Sequence, residues 1–115
     1  MKPILLLLLC LLAVQQSPTS PKVAYGIGGQ RSCAEWTRTK TIDVTDPAAR
    51  AMHTLLFAWV EGFVTGAAAY SEREIPKTDG AAIEAYVDQF CVNNPSAPVS
   101  HAGIAFLYEL VKDRP

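Results

Sequence analysis

The stretch DPAARAMHTLLFAWVEGFVTGAAAY, Asp46 to Tyr70, decides how this chain folds. It opens on aspartate followed by proline. The carboxylate can accept from the first free backbone N–H groups, and the fixed φ of proline suits the first helical position. A helix over the whole stretch would be about 36 Å long at 1.5 Å per residue. At 100° per residue one face collects Ala48, Met52, Leu55, Leu56, Trp59, Gly62, Phe63, Gly66 and Tyr70, and this is the expected core stripe. The opposite face mixes Arg50, His53, Thr54, Glu61 and Thr65 with Phe57, Val60 and Val64. A helix apolar on two sides is expected at the centre of its domain.

Gly62 and Gly66 each cost about 1 kcal/mol relative to alanine in a helix interior. They predict the close approach of another helix or of the segment around Cys33. In a bilayer the same G-x-x-x-G spacing would suggest helix pairing. Glu61 near the middle argues against that setting, because a carboxylate at mid-bilayer costs roughly 2.5 to 3.5 kcal/mol.

Working outward, a cysteine-bearing segment flanks the helix on each side, RSCAEW before it and VDQFCVNN after it. Ser32-Cys33-Ala34-Glu35 has the form of a capping box and predicts a short helix through about Arg38. Beyond the charged loop Ser71 to Asp79, Thr78 or Asp79 is expected to cap a helix to about Val92, burying Ile83, Tyr86, Val87, Phe90 and Cys91. Asn93-Asn94-Pro95 ends it. A last helix from His101 to Lys112 is expected to bury Ile104, Leu107, Tyr108 and Val111, with Phe106 and Leu110 on its other side.

The N-terminus reads differently. Lys2 followed by the apolar run Ile4 to Val14 has the length of a secretory signal, shorter than a bilayer span. Residues 1–20 are expected to be signal peptide and processing region, with the cut between Gln15 and Ala24. Cys10 as a lipidated cysteine is disfavoured by Leu7, Leu8 and Leu9 before it. Residues 21–30 are read as a flexible arm and 31–115 as a single helical domain. Gly26-Ile27-Gly28-Gly29 lacks the strand, the spacing and the Lys-Ser/Thr of a phosphate loop.

With Lys2 and Cys10 removed, nine basic side chains face eleven acidic ones and two cysteines remain. No basic stripe is present to meet a nucleic acid. An even cysteine count in an exported chain favours a Cys33–Cys91 disulfide. Its loop of roughly 58 residues is worth about 4 kcal/mol in the chain-entropy model. There is no C-x-x-C, and His53 and His101 have no metal-like spacing, so no metal or cofactor is expected. His53 and Glu61 lie two turns apart without a nucleophile, and no enzyme activity is expected. Phe57, Val60, Val64, Phe106 and Leu110 form an apolar surplus. Either they complete the core as a second layer or they form an exposed interface for a second copy or a client.

Three motifs carry a family resemblance: S-C-x-x-W (Ser32, Cys33, Trp36), W-V-x-G-F-x-x-G (Trp59, Val60, Gly62, Phe63, Gly66) and F-C-x-x-N-P (Phe90, Cys91, Asn94, Pro95). In this layout the chain resembles small exported bacterial proteins grouped with the HdeA/HdeB acid-stress chaperones. The cysteines stand further apart than in HdeA and its lysine-rich tail is missing, so the fold carries over further than the activity. The resemblance implies an all-α, four-helix bundle-like domain around one long central helix, located in the periplasm. It further implies a protein or self partner, with acid-triggered exposure of apolar faces. The alternative is an exported immunity-type protein that neutralises a toxin, and neither reading implies stable membrane insertion after signal removal.

Overall fold

The computed structural model describes residues 27–41 and 45–113, and the signal-peptide reading lies outside them. Five helices make up the described fold: α1 Ile27–Gln30, α2 Cys33–Thr41, α3 Pro47–Tyr70, α4 Gly80–Asn93 and α5 Val99–Val111. Among the described residues there is no strand beyond one isolated bridge, between Ser32 and Pro98.

Local chemistry sets the helix ends. The Ser32–Glu35 capping box is formed in both directions, with Glu35 N donating to Ser32 Oγ and Ser32 N to Glu35 Oε2, each at 3.2 Å. Asp46 accepts from Ala48 N at 3.0 Å, with Pro47 opening α3. Asp79 accepts from Ala82 N at 2.8 Å, which makes it the cap of α4. The turn between α4 and α5 receives the start of α2. Cys33 N donates to Ala97 O, Ala34 N to Pro95 O, and Val99 N returns a bond to Arg31 O. These bonds satisfy backbone groups that a helix start and a tight turn would each leave open.

The Cys33 and Cys91 sulfurs are 2.08 Å apart, in the core, and both residues are fully buried. Trp36, Leu56, Val60, Val64, Ile83, Val87, Val99, Ala102 and Phe106 complete the buried cluster, with Phe57 and Leu110 packed at its edge. Tyr86 and Phe106 meet with ring centroids 5.3 Å apart.

This corrects the reading of α3. Its inward face runs through Ala49, Leu56, Val60 and Val64, whereas Leu55 is 50% and Tyr70 93% exposed. Of the face expected to be the core, only Leu56 is buried and Met52, Trp59 and Phe63 are half-buried. Val60, Val64 and Phe106 are buried in the core cluster, and Phe57 and Leu110 are half-buried against it. The physical reason lies in the polar residues. His53 borders the inward face because Glu84 and Thr39 on neighbouring helices meet its ring there, which a hydropathy pattern cannot anticipate.

The glycine expectation is corrected as well. A Cβ at Gly62 or Gly66 would meet nothing within 4 Å. The close approaches are made elsewhere: a Cβ on Gly29 would come 2.3 Å from Trp59 Cζ2, and one on Gly103 2.9 Å from Phe63 Cδ1. Gly28 and Gly29 are buried against the indole of Trp59, itself stacked on Phe63 at 5.2 Å. The end of the expected flexible arm, residues 27–30, is thus a packed helical turn; residues 21–26 lie outside the described residues.

On α5 the expected face is rotated too. Ile104 is 44% and Tyr108 72% exposed, while Val99, Ala102, Gly103 and Phe106 are buried. Small residues let α5 sit close to α3, with Phe63 filling the space over Gly103. None of the described helices is long and apolar enough to cross a membrane.

Two pairs of substitutions test these faces by urea denaturation. Leu56→Ala is expected to cost ~2–5 kcal/mol and its neighbour Leu55→Ala much less. Gly62→Ala is expected to stabilise by up to ~1 kcal/mol, and Gly103→Ala to destabilise because Phe63 must move.

Candidate functional site

A polar joint is built where α2, α3 and α4 meet. On α2, Trp36, Thr39 and Lys40 stand three and four positions apart and so share one face. On α4, Glu84 and Asp88 are four apart and face them. From α3, His53 reaches into the same place.

The disulfide sets the register. Trp36 lies three positions after Cys33 and its Nε1–H donates to Asp88, three positions before Cys91, at 2.7 Å. Lys40 lies seven positions after Cys33 and donates to Glu84, seven before Cys91, at 3.1 Å. The two helices are therefore antiparallel. Lys40 also donates to Asp88 Oδ2 at 2.5 Å. His53 Nε2 is 2.9 Å from Glu84 Oε1, and its Nδ1 is 3.3 Å from Thr39 Oγ1. Thr39 donates its hydroxyl hydrogen to Trp36 O at 2.7 Å. The imidazole lies edge-on to Trp36, centroids 4.9 Å apart, and parallel to the ring of Phe57 at 6.3 Å.

These contacts bias proton affinity. Partial burial works against ionisation of Glu84, but hydrogen bonds from His53 and Lys40 outweigh it and hold the carboxyl below its ordinary value of 4.5. Partial burial likewise works against the charge on Lys40, and its bonds to Asp88 and Glu84 raise its affinity above the ordinary 10.5. The joint opens to solvent through a cleft of about 340 Å³ lined by Thr39, Lys40, Arg50, His53, Thr54 and Glu84.

Hydroxyl, imidazole and carboxylate in sequence have the outline of a nucleophile with its base. The hydrogens are placed otherwise. The Thr39 hydrogen goes to a backbone carbonyl, and Glu84 Oε1 is shared between imidazole and ammonium. The arrangement is suited to holding three helices through exchangeable protons.

His53 meets Glu84 on α4 and not Glu61, which lies two turns further along its own helix. Glu61 lies instead beside the start of α4, where a Cβ on Gly80 would meet its Oε1 at 2.5 Å. A carboxylate there is favoured by the helix dipole. With Val64, Ala68, Ile75, Pro76 and Ile83 it borders a second cleft of about 470 Å³. His101 is exposed on the first turn of α5. Among the described residues no group of three His, Cys, Asp or Glu side chains is placed to hold a metal ion. A signal for the joint did exist in the sequence: once Cys33 and Cys91 are joined between antiparallel helices, equal offsets from each cysteine pair Trp36 with Asp88 and Lys40 with Glu84.

Comparison with known protein families, with curated proteins and with solved structures finds no match to this chain.

The two shifted groups act at opposite ends of the pH scale. The folded-state value of Glu84 is depressed, so its contribution is complete above about pH 4.5 and is lost as pH falls through the depressed value. For Lys40, raised above 10.5, the contribution is complete below that pH and is lost as pH rises through the raised value. Glu84→Gln is expected to flatten the acid limb of the stability profile measured by urea unfolding. Trp36→Phe, which leaves the Asp88 carboxylate one donor short, is expected to cost ~1–3 kcal/mol while keeping that limb.

Proposed function

We propose that the chain is a small exported helical binding protein of the HdeA/HdeB type, acting in the periplasm on protein clients when the surroundings turn acidic. The observation that carries this reading is the make-up of the joint: the carboxylates of Glu84 and Asp88 connect α4 to α2 and α3, beside a disulfide that acid does not cut. As pH falls the carboxylates take up protons, and Lys40, His53 and Arg50 remain as like charges around one cleft. The nine basic side chains left after Lys2 then repel one another with little to balance them. The helices part, and the Cys33–Cys91 bond limits how far. Leu56, Val60, Val64, Ile83, Val87 and Phe106, buried at neutral pH, become the client-binding faces. In this reading the fold is a four-helix arrangement around α3, delivered by a signal peptide over residues 1–20 and working without a cofactor.

A second reading is favoured by the outer face of α3. Leu55, Gly62, Gly66 and Tyr70 form a surface that exists before any unfolding and that no other part of the described chain fills at the glycines. A preformed face of this kind fits an immunity-type protein that captures a toxin at neutral pH, or a second copy of the chain.

Light scattering and client aggregation assays at about pH 2–3 separate the two. The acid reading expects expansion of the protein and suppression of aggregation there, and it expects Glu84→Gln with Asp88→Asn to begin expanding at a higher pH. A protein that stays compact and leaves clients to aggregate at that pH overturns it. Partner capture at pH 7 that is abolished by Gly62→Arg, with unchanged stability, would establish the second reading.

A further inference from the structure

Away from the joint, the cleft of about 470 Å³ between α3 and the start of α4 holds a carboxylate without a partner. Glu61 is half-buried on its wall, yet among the described residues it receives no hydrogen bond and makes no ion pair. Lys77 on the rim is exposed and is not paired with it. Packing fixes where the carboxylate lies. A Cβ on Gly80 would come 2.5 Å from Glu61 Oε1 and 3.1 Å from Phe57 Cζ, so the glycine leaves the room that carboxylate and ring take up. Asp79, the next residue on the rim, accepts from Ala82 N through Oδ1, and no described group donates to its Oδ2.

The rest of the wall is largely aliphatic, from Val64, Ala68, Ile75, Pro76 and Ile83. A cleft of this size, mainly apolar with a few convergent polar groups, has the form of a small-ligand site. Its lining narrows the chemistry of the ligand. The two carboxylates beside Gly80 call for a cation, and the aliphatic wall calls for an aliphatic stem. A guanidinium or quaternary ammonium would gain from an aromatic face, and no aromatic side chain lines the cleft. A metal ion would need a larger donor set, and no group of three His, Cys, Asp or Glu stands together among the described residues. A primary ammonium has three hydrogens to donate and no lone pair. Glu61, Asp79 and the hydroxyls of Thr65 and Thr78 are the acceptors around the cleft. The dipole of α4 offsets part of the Glu61 charge and Lys77 opposes a second cation, so the affinity is modest.

We propose that the cleft between α3 and the start of α4 binds a primary ammonium on an unbranched aliphatic stem, with Glu61 as its counter-charge and the apolar wall as the seat of the stem. A free aliphatic amine and the lysine side chain of a bound polypeptide present this same group. The site is separate from the joint around His53 and Glu84, and it needs neither acid opening nor client binding.

Titration of the isotope-labelled, oxidised protein with n-pentylamine, followed by backbone amide shifts, tests it. The buffer is of low salt at about pH 7, where amine and carboxylate are both charged. Saturable shifts are expected at Thr65, Ala68, Gly80 and Ile83, with a Kd on the order of 1 mM. Glu61→Gln is expected to weaken binding at least about tenfold, and n-pentanol, which keeps the stem without the charge, to bind as poorly to the wild type. Lys77→Ala is expected to bind n-pentylamine at least as well as the wild type. The blocked peptide N-acetyl-Gly-Lys-Gly-amide distinguishes the sources: tighter binding than n-pentylamine assigns the site to a polypeptide lysine, weaker binding to a free amine, and both uphold it. Equal binding to Glu61→Gln, equal binding of n-pentanol, or no saturable shift at the cleft overturns the proposal. So does saturation in Lys77→Ala alone, which makes the chain's own lysine the occupant. If Glu61→Gln does not fold, n-pentylamine against n-pentanol on the wild type decides.

Discussion

The Cys33–Cys91 bond is the constraint from which the rest of the structure follows. It closes a separation of 58 residues, worth about 4 kcal/mol as lost freedom of the unfolded chain. Its second effect is positional. It sets α2 antiparallel to α4 in one register, and that register brings the buried Trp36 N–H to Asp88 and the Lys40 ammonium to Glu84. A shift of one residue between the helices would leave an indole N–H in the core without an acceptor, at a cost of ~1–3 kcal/mol. Covalent bond and polar pairs therefore specify the same alignment.

Around this pair α3 takes its orientation from two requirements at once. Leu56, Val60 and Val64 must meet Ile83, Val87 and Phe106, and His53 must reach Glu84. Both are met by the same face. The outer side keeps Leu55 and the two open glycines toward solvent. Close packing is achieved at the ends of the helix array, where Trp59 lies on Gly28 and Gly29 and Phe63 on Gly103. The interior combines β-branched and small residues with Trp36, Leu56 and Phe106, and the half-buried rings of Trp59 and Phe63 bridge to α1 and α5.

The joint of α2, α3 and α4 combines two kinds of fastening with different chemistry. The disulfide is indifferent to protons, whereas the contact between Glu84 and Lys40 depends on the Glu84 carboxylate and the Lys40 ammonium keeping their charges.

Much of the secondary structure was legible in single residues: Asp46-Pro47 and Asp79 as helix starts, the Ser32–Glu35 box, and Asn94 as a stop. Those signals are local, since a cap and its backbone acceptor lie within one turn. The cysteine pairing followed from an even count. Which face of α3 turns inward was not legible, because apolar residues lie on both sides and the outcome depends on His53 finding a partner on another helix. The same holds for α5, where small Ala102 and Gly103 are buried in place of larger Ile104 and Tyr108. Hydropathy counts the size of a side chain, and packing rewards the fit between two surfaces. The sequence by itself determined where the helices begin and end and which cysteines could join. Only the tertiary structure decided which faces meet and brought His53 to Glu84, because side chains 31 residues apart meet through space rather than along the chain.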